Sequence, residues 1–356
     1  MKTLITSDWH LGVQRAAGTT PSSAAALRES LLDGFKTLIM GHIDKDVLIA
    51  GDLLDFFTVD TTTILDTYKI LSGWLNNSQG KLILVAGNHD WSPKGDKTAS
   101  FHFLAHILMA QYGDRVVLAD QGFQIVKPGL AVISHVANQD CFDLEIEKAL
   151  ELENHWIVLH CNYENPFADA SDHSLNLNEE QTRKLTRKNR ILLGHEHQHR
   201  TMREGRAICM GNPMPSSIAD CLAHGTAQKD GKKYAWILDE EGNLDTVETW
   251  NRKGSFEQLD WQELGVEVLA QTVKFIRVTG TATAAQAADV ISAIAKFRQA
   301  SDAFVITNGV TIEGIAGMTS DAEISYENVK SFDVLKALLE MLDEREQAAV
   351  QELLAC

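Results

Sequence analysis

Five short motifs rich in Asp, His and Asn run in one order along the chain, and each directly follows a short apolar run. They are Asp8-Trp9-His10, Gly51-Asp52-Leu53-Leu54-Asp55, Gly87-Asn88-His89-Asp90, Leu159-His160-Cys161-Asn162 and Gly194-His195-Glu196-His197. The runs before them are Thr3-Leu4-Ile5, Val47-Leu48-Ile49-Ala50, Leu82-Ile83-Leu84-Val85, Ile157-Val158-Leu159 and Ile191-Leu192-Leu193. Such stretches, bounded by Gly, Asn and Asp, read as buried strands. Carboxylate, imidazole and amide groups therefore recur at the C-terminal ends of strands. In layered α/β folds that edge is where ligands bind, so the pattern predicts one site assembled from five loops.

Length and composition frame this reading. A chain of 356 residues is long for one core, and two domains, or one domain with an appendage, is the expectation. The five cysteines, Cys141, Cys161, Cys209, Cys221 and Cys356, show neither paired nor zinc-ribbon spacing. An odd number of them with no secretory signal points to reduced thiols and a cytoplasmic location. The N-terminus runs straight into the first strand, and no apolar stretch approaches the length of a membrane span. The net charge of −17 opposes binding nucleic acid through a general positive field, because Lys and Arg contacts to phosphate dominate such binding. Locally the balance differs: Arg183, Lys184, Arg187, Lys188, Arg190, Arg200 and Arg203 flank the last His motif. This cluster reads either as a solvated helix face or as a substrate contact, with Arg183, Arg187 and Arg190 as the candidates.

Strand-like runs alternate with helical patterns over the first 200 or so residues, as expected of a layered α/β domain with mixed sheets. Helices are expected at Ala24 to Met40, Thr62 to Leu75, Ala99 to Tyr112, Leu144 to Asn154 and Glu179 to Lys188. Further strands are expected at Val116 to Leu118, Leu130 to Ser134, Tyr234 to Leu238 and Asp245 to Thr249. Asn251 to Ser255 looks like a linker, and beyond it Val273 to Val278, Ala284 to Ala300 and Ala303 to Thr307 form a strand-helix-strand unit. Residues 332–354 place Leu335, Leu338, Leu339, Leu342, Val350 and Leu353 at helical spacing, either packed on their own domain or docked on a partner. The boundaries that follow are 1–250, 251–325 and 326–356.

His and carboxylate donors with one amide oxygen and no thiolate suit borderline-hard divalent ions, manganese or iron, with zinc or magnesium as further candidates. Asp52 is central among the motifs and has two oxygens, so it is the expected bridge of a two-metal centre. Ions held roughly 3.5–4 Å apart can clamp both the attacking and departing oxygens of an in-line phosphoryl displacement.

Together these motifs resemble the calcineurin-like metallophosphoesterase superfamily over roughly the first 250 residues. The resemblance implies a sandwich of two mixed β-sheets flanked by helices, with a small α+β capping domain and a C-terminal helix. It implies that Asp8, His10, Asp52 and His197 hold one ion, and that Asp52, Asn88, His160 and His195 hold the other. His135 also follows a strand, but the family pattern favours His160. His89 is the family's non-ligand histidine, placed to contact phosphate and protonate the leaving oxygen, with Asp55 orienting its imidazole.

Protein phosphatases of the superfamily carry an Arg directly after Gly-Asp-x-x-Asp, where this chain has Phe56-Phe57, which disfavours a monoesterase. Asp8-Trp9-His10-Leu11-Gly12, Gly211-Asn212-Pro213-Met214-Pro215-Ser216-Ser217 and the unit after the linker resemble the DNA double-strand-break repair nucleases, SbcD-like and phage recombination subunits. That branch implies a nuclease using a metal-bridging hydroxide on DNA, a homodimer, and a C-terminal helix docked on an SbcC-like SMC-family coiled-coil ATPase. The competing expectations are a phosphodiesterase of cyclic nucleotides or nucleotide diphosphates, and a DNA-binding scaffold subunit of an ATPase complex.

Overall fold

The computed structural model describes residues 1–14, 17–92, 97–165, 174–222, 227–264 and 272–313. The helix expected at 332–354 lies outside them. The first half alternates β1 (Thr3–Thr6), α1 (Pro21–Met40), β2 (Asp46–Ala50), α2 (Thr61–Asn77), β3 (Leu82–Val85), α3 (Ser100–Tyr112) and β4 (Val116–Ala119). Helix starts are set by side chains that accept otherwise orphaned N–H groups. Thr20 caps α1 in a capping box with Ser23, and Asp60 caps α2 through the N–H of Thr63.

The chain then makes β5 (Phe123–Lys127), β6 (Leu130–Ile133), α4 (Gln139–Leu150), β7 (Trp156–His160), the short β8 (Asn162–Tyr163) and β9 (Asn176–Leu177), and α5 (Glu179–Lys188). Next come β10 (Arg190–Gly194), β11 (Arg200–Met202), β12 (Ala207–Cys209), the single turn α6 (Ile218–Cys221), β13 (Lys232–Leu238) and β14 (Leu244–Asn251). Helix α4 begins five residues before its expected start at Leu144, because the Asn138 side chain accepts the N–H of Cys141 and opens the helix there.

Among the described residues twelve of these strands form two six-stranded sheets, ordered β14-β13-β1-β2-β3-β4 and β11-β12-β10-β7-β6-β5, while β8 and β9 pair with each other. In the first, β1 to β4 are parallel while β13 returns antiparallel to β1. In the second, β6, β7, β10 and β12 are parallel, with antiparallel β5 and β11 at the edges. Both sheets are mixed, which is the sandwich expected from the sequence.

The period-2 geometry of a strand explains why the central runs are wholly apolar. Ile5, Leu48, Ile83, Val132, Val158 and Leu192 point between the sheets. Their neighbours Leu4, Val47, Ile49 and Leu84 pack outward on α1, α2 and α3, while Ile157, Leu159, Ile191 and Leu193 pack outward on α4 and α5. No helix among the described residues is long and apolar enough to cross a membrane.

The C-terminal unit contains β15 (Phe256–Asp260), β16 (Phe275–Thr279), β17 (Thr281–Thr283), α7 (Ala287–Ala300), β18 (Val305–Asn308) and β19 (Thr311–Glu313). Strand β15 was not anticipated, since Phe256-Glu257-Gln258-Leu259-Asp260 has only two apolar residues to mark it. It pairs in parallel with β16, and β16 in parallel with β18. The expected linker is instead a tight turn, in which Ser255 and Phe256 N–H groups both donate to the Arg252 carbonyl. Phe275 and Val305 leave this unit and join the core under α1, with Phe256 and Phe304 against them. A fully buried side chain of this kind contributes about 1.5–3 kcal/mol. The unit is therefore held by apolar contact as well as by the chain.

Candidate metal centre

The C-terminal ends of β1, β2, β3, β7 and β10 lie level in register, Thr6 beside Ile49, Ala50 beside Val85 and His160 beside Gly194. The five loops beyond them consequently converge. Asp8, His10, Asp52 and His195 adopt φ of 54, 46, 49 and 81°, the left-handed region that L-residues enter at a cost of about 1–3 kcal/mol each. Main-chain bonds hold those conformations: Asp8 N–H to Gly51 O at 3.1 Å and His10 N–H to Asp52 O at 3.1 Å. His195 N–H donates to Asp8 Oδ1 at 3.0 Å, and His160 Nδ1 donates to Ala50 O at 2.9 Å, so each sheet buttresses the other's donors.

Glycine opens two of the motifs for steric reasons. A Cβ on Gly51, whose φ is +90°, would enter the His160 ring, and one on Gly87 would enter the Asp52 carboxylate.

Among the described residues the resulting donor groups are Asp8, His10 and His197; His10, Asp52 and His89; and Asp52, His160 and His195, with donor atoms within 4.8 Å of one another in each. His10 Nε2 faces His197 Nε2 at 3.0 Å. Asn88 Oδ1 lies 3.0 Å from both His160 Nε2 and His195 Nδ1. Asp52 Oδ2 stands between these two nests, 3.9 Å from His10 Nε2 and 3.2 Å from His160 Nε2. Ring nitrogens aimed at one another across 3.0 Å, around a central carboxylate, fit a divalent cation on each side of Asp52.

Electrostatics differ between the two nests: burial opposes the His160 imidazolium, but the charge and hydrogen bond of Asp52 push it up to about 10, so His160 must release a proton to an incoming ion. Burial tends to raise the Asp52 carboxyl, but His160, His89 and His10 around it hold it well below the usual carboxylate range. Beside it, Asp90 is pushed up to about 7 by burial and by the Asp52 charge, against a hydrogen bond from Gly87. Of these two neighbouring carboxylates, Asp52 is the one that keeps its charge. Burial lowers His10, although a hydrogen bond to Asp55 opposes the shift. A neutral imidazole is the form a cation needs.

The structure brings Asp8, His10, Asp52, Asn88, His160, His195 and His197 together, with His89 against them. His135 stands apart beside Trp91, ring to ring at 6.2 Å. Two expectations change. His89 Nδ1 donates to the main-chain carbonyl of Asp55 at 2.5 Å, whereas the Asp55 carboxylate lies 3.2 Å from His10 Nδ1. Asp55 thus orients His89 through its backbone and a candidate ligand through its side chain.

The proposed Arg contacts do not gather here. Arg190 begins β10, roughly 13 Å along the strand from Gly194. It is tied to Gly242 O at 3.0 Å and stacked over Trp156. Arg183 and Arg187 are exposed on α5, whose buried face is Thr182, Leu185 and Thr186. Arg183 and Arg187 match the solvated-face reading, whereas Arg190 and Arg200 are tied to neighbouring groups.

Other residues of the site escaped the sequence reading. Asp90 Oδ2 accepts the N–H groups of Asp52 and Gly87 at 2.9 and 3.0 Å, joining two of the loops. Asp220 Oδ1 accepts from His197 Nδ1 at 2.8 Å, and Oδ2 is held by Ser216 N, Ser216 Oγ and Ser217 N. This fixes the tautomer that leaves His197 Nε2 as the donor atom. Burial pushes against its ionisation, but His197 and Lys233 hold Asp220 well below the carboxylate range. The available signal was a capping box, Ser217 with Asp220, directly after the Gly-Asn-Pro loop.

A family model described as calcineurin-like phosphoesterase matches residues 1–199. No curated protein matches the chain. Among solved structures it is similar to nuclease MPE of Pseudomonas putida, 14% identical over 69% of this chain and 87% of that one, with a TM-score of 0.29. It is also similar to a dimetal phosphatase from Danio rerio, 12% identical over 70% and 99% of the two chains, with a TM-score of 0.34.

Proposed function

The chain belongs to the calcineurin-like phosphoesterase family, and from that premise we propose that it is a nuclease hydrolysing DNA phosphodiesters. The family's enzymes are metal-dependent phosphoester hydrolases with a dinuclear centre. In our reading Asp8, His10, Asp52 and His197 hold one ion and Asp52, Asn88, His160 and His195 the other, with manganese the expected metal. When bound, the pair supplies Lewis acidity and an activated water for in-line displacement.

The observation that carries the diester reading stands next to Asp55. Phe56, 56% exposed, follows Asp55 directly in the chain, at the sequence position where the protein phosphatases of the superfamily carry an Arg. An exposed aromatic at the rim of the site offers a stacking surface for a base.

His89, held by the Asp55 carbonyl through Nδ1, presents Nε2 to the leaving oxygen and transfers a proton to it. The Asp55 carboxylate fixes His10. Asp90 keeps the Asp52 and Asn88 loops together while the charge of the phosphate changes.

The setting we propose is DNA recombination or repair, in the SbcD-like branch. Residues 326–356 would dock on an SMC-family ATPase, and the exposed Leu65 of α2 with Phe103 and Ile107 of α3 would form a homodimer contact. A net charge of −17 makes DNA affinity dependent on the bound ions and on that partner. The same charge is what favours the second reading, a small-molecule phosphodiesterase.

Degradation of a labelled DNA duplex in manganese separates the two. Wild-type protein should cut the duplex, and His89→Asn should lose about 10²–10⁴-fold in rate while retaining its metal. Full nuclease activity in His89→Asn sinks the proton-donor role. A wild type that hydrolyses nucleotide diphosphates and leaves the duplex intact sinks the nuclease reading.

A further inference from the structure

Lys233 lies on β13 and is 6% exposed, unusual burial for a lysine. Its Nζ donates to the main-chain carbonyl of His197 at 3.1 Å and to Asn212 Oδ1. Strand β13 belongs to the first sheet, beside β1, while His197 follows β10 and Asn212 follows β12 in the second. The ammonium therefore crosses from one sheet to the other directly behind a residue of the metal cluster.

His197 is consequently gripped twice, its ring by Asp220 and its carbonyl by Lys233. A buried cation resting on two neutral acceptors is costly, and an apolar side chain of similar length would fill the space at less expense. Burial lowers the Lys233 ammonium from its ordinary value, and Asp220 and Asp8, the second of which is itself a cluster donor, oppose that shift only in part. Packing alone does not call for an ammonium at this position.

Resting on the dinuclear reading above, we propose that Lys233 is a positioning residue for the ion assigned to Asp8, His10 and His197. It fixes the His197 backbone so that Nε2 meets His10 Nε2. Among the described residues the Lys233 ammonium bonds His197 O and Asn212 Oδ1, on the side of the His10 and His197 nest rather than that of Asn88, His160 and His195. The effect should therefore be confined to one ion of the pair.

The test uses the full chain, stripped with chelator and titrated with manganese by calorimetry, with electron paramagnetic resonance of the loaded protein alongside. Wild type should take up two ions and give an exchange-coupled signal. Lys233→Met should keep one ion at wild-type affinity, bind the other about 10–100-fold more weakly, and give the signal of a single ion, as His197→Ala should. Lys233→Arg, which restores a donor and a charge, should recover part of the loss.

A role limited to packing would shift thermal unfolding in chelator without separating the two ions. Two ions at wild-type affinity in Lys233→Met overturn the Lys233 role and leave the dinuclear reading standing. A wild type that binds no second ion overturns both. Should Lys233→Met fail to fold, Asn212→Ala releases the ammonium from one anchor. Selective weakening of one ion there supports the role, and unchanged affinity for both overturns it.

Discussion

The two ends of the sandwich are built from the same strands and differ in almost everything else. At the strand N-terminal ends a cavity of about 520 Å³ opens between the sheets, lined by Leu130, Trp156, Leu238, Lys127, Arg190 and Arg206 among others. Its charged groups are largely tied to neighbours: Lys127 bonds Asp46 at 2.8 Å, and Lys188 bonds Glu153 at 2.5 Å. At the opposite ends Asp8, His10, Asp52 and His160 are buried and Asn88, His195 and His197 half-buried, facing pairs stand 3.0 Å apart, and Asp8, His10, Asp52 and His195 sit on left-handed backbone. Volume therefore marks one end and chemistry the other. Imidazole, carboxylate and amide groups converging from separate loops are the better sign of a site, because gathering them away from water is costly unless a cation or partner uses them.

Substitutions at each end test that contrast. The largest effect belongs to Asp52→Ala, which should remove both ions and lower phosphodiester turnover by on the order of 10³ or more; metal analysis and a DNA assay read it directly. Trp156→Ala, beneath the far cavity, should cost about 3–5 kcal/mol of stability by chemical denaturation. It should still bind two ions in the cold, and loss of metal there would break the separation of the two ends.

Asp220→Asn should weaken one ion about 10–100-fold. It should also change the acid limb of stability. The folded value of Asp220 is depressed, so its contribution is present above an ordinary carboxylate value of about 4 and is lost as pH falls below it. Denaturation midpoints across that range in chelator should fall less steeply in the variant than in wild type. The smallest effect is expected for Arg190→Ala, about 0.5–1 kcal/mol from its stacking on Trp156, with DNA turnover unchanged.

The parts of the site readable from sequence are those whose side chains act next to their own motif. Asp8, His10, Asp52, Asn88, His160, His195 and His197 each sit at a strand end, where an apolar run stops and a polar residue must turn. Asp220 and Lys233 act on His197 from 23 and 36 residues away, through contacts that exist only once both sheets are assembled. The Asp55 partner was misjudged for a related reason, since the sequence does not show which of its oxygens, main-chain or carboxylate, meets His89. Arg190 was misplaced because nearness to the His195 motif in sequence is distance along a strand in space. The linker was misread because Gly and Ser mark a tight turn as readily as a tether.

The pairing of β1 with β13, residues 3–5 against 236–238, bears on how the protein is made. Because synthesis runs from N- to C-terminus, Leu4 and Ile5 emerge before Trp236 and Ile237, and one edge of their strand stays open until these follow. During that interval the nascent protein carries an apolar, unpaired strand edge, the feature that invites association with other chains. The whole second sheet is synthesised within the same interval. The donors after β1 and those after β10 can meet only once β10 has been made. Slowed translation before Leu238 should lengthen the exposure of that edge, and faster release should shorten it.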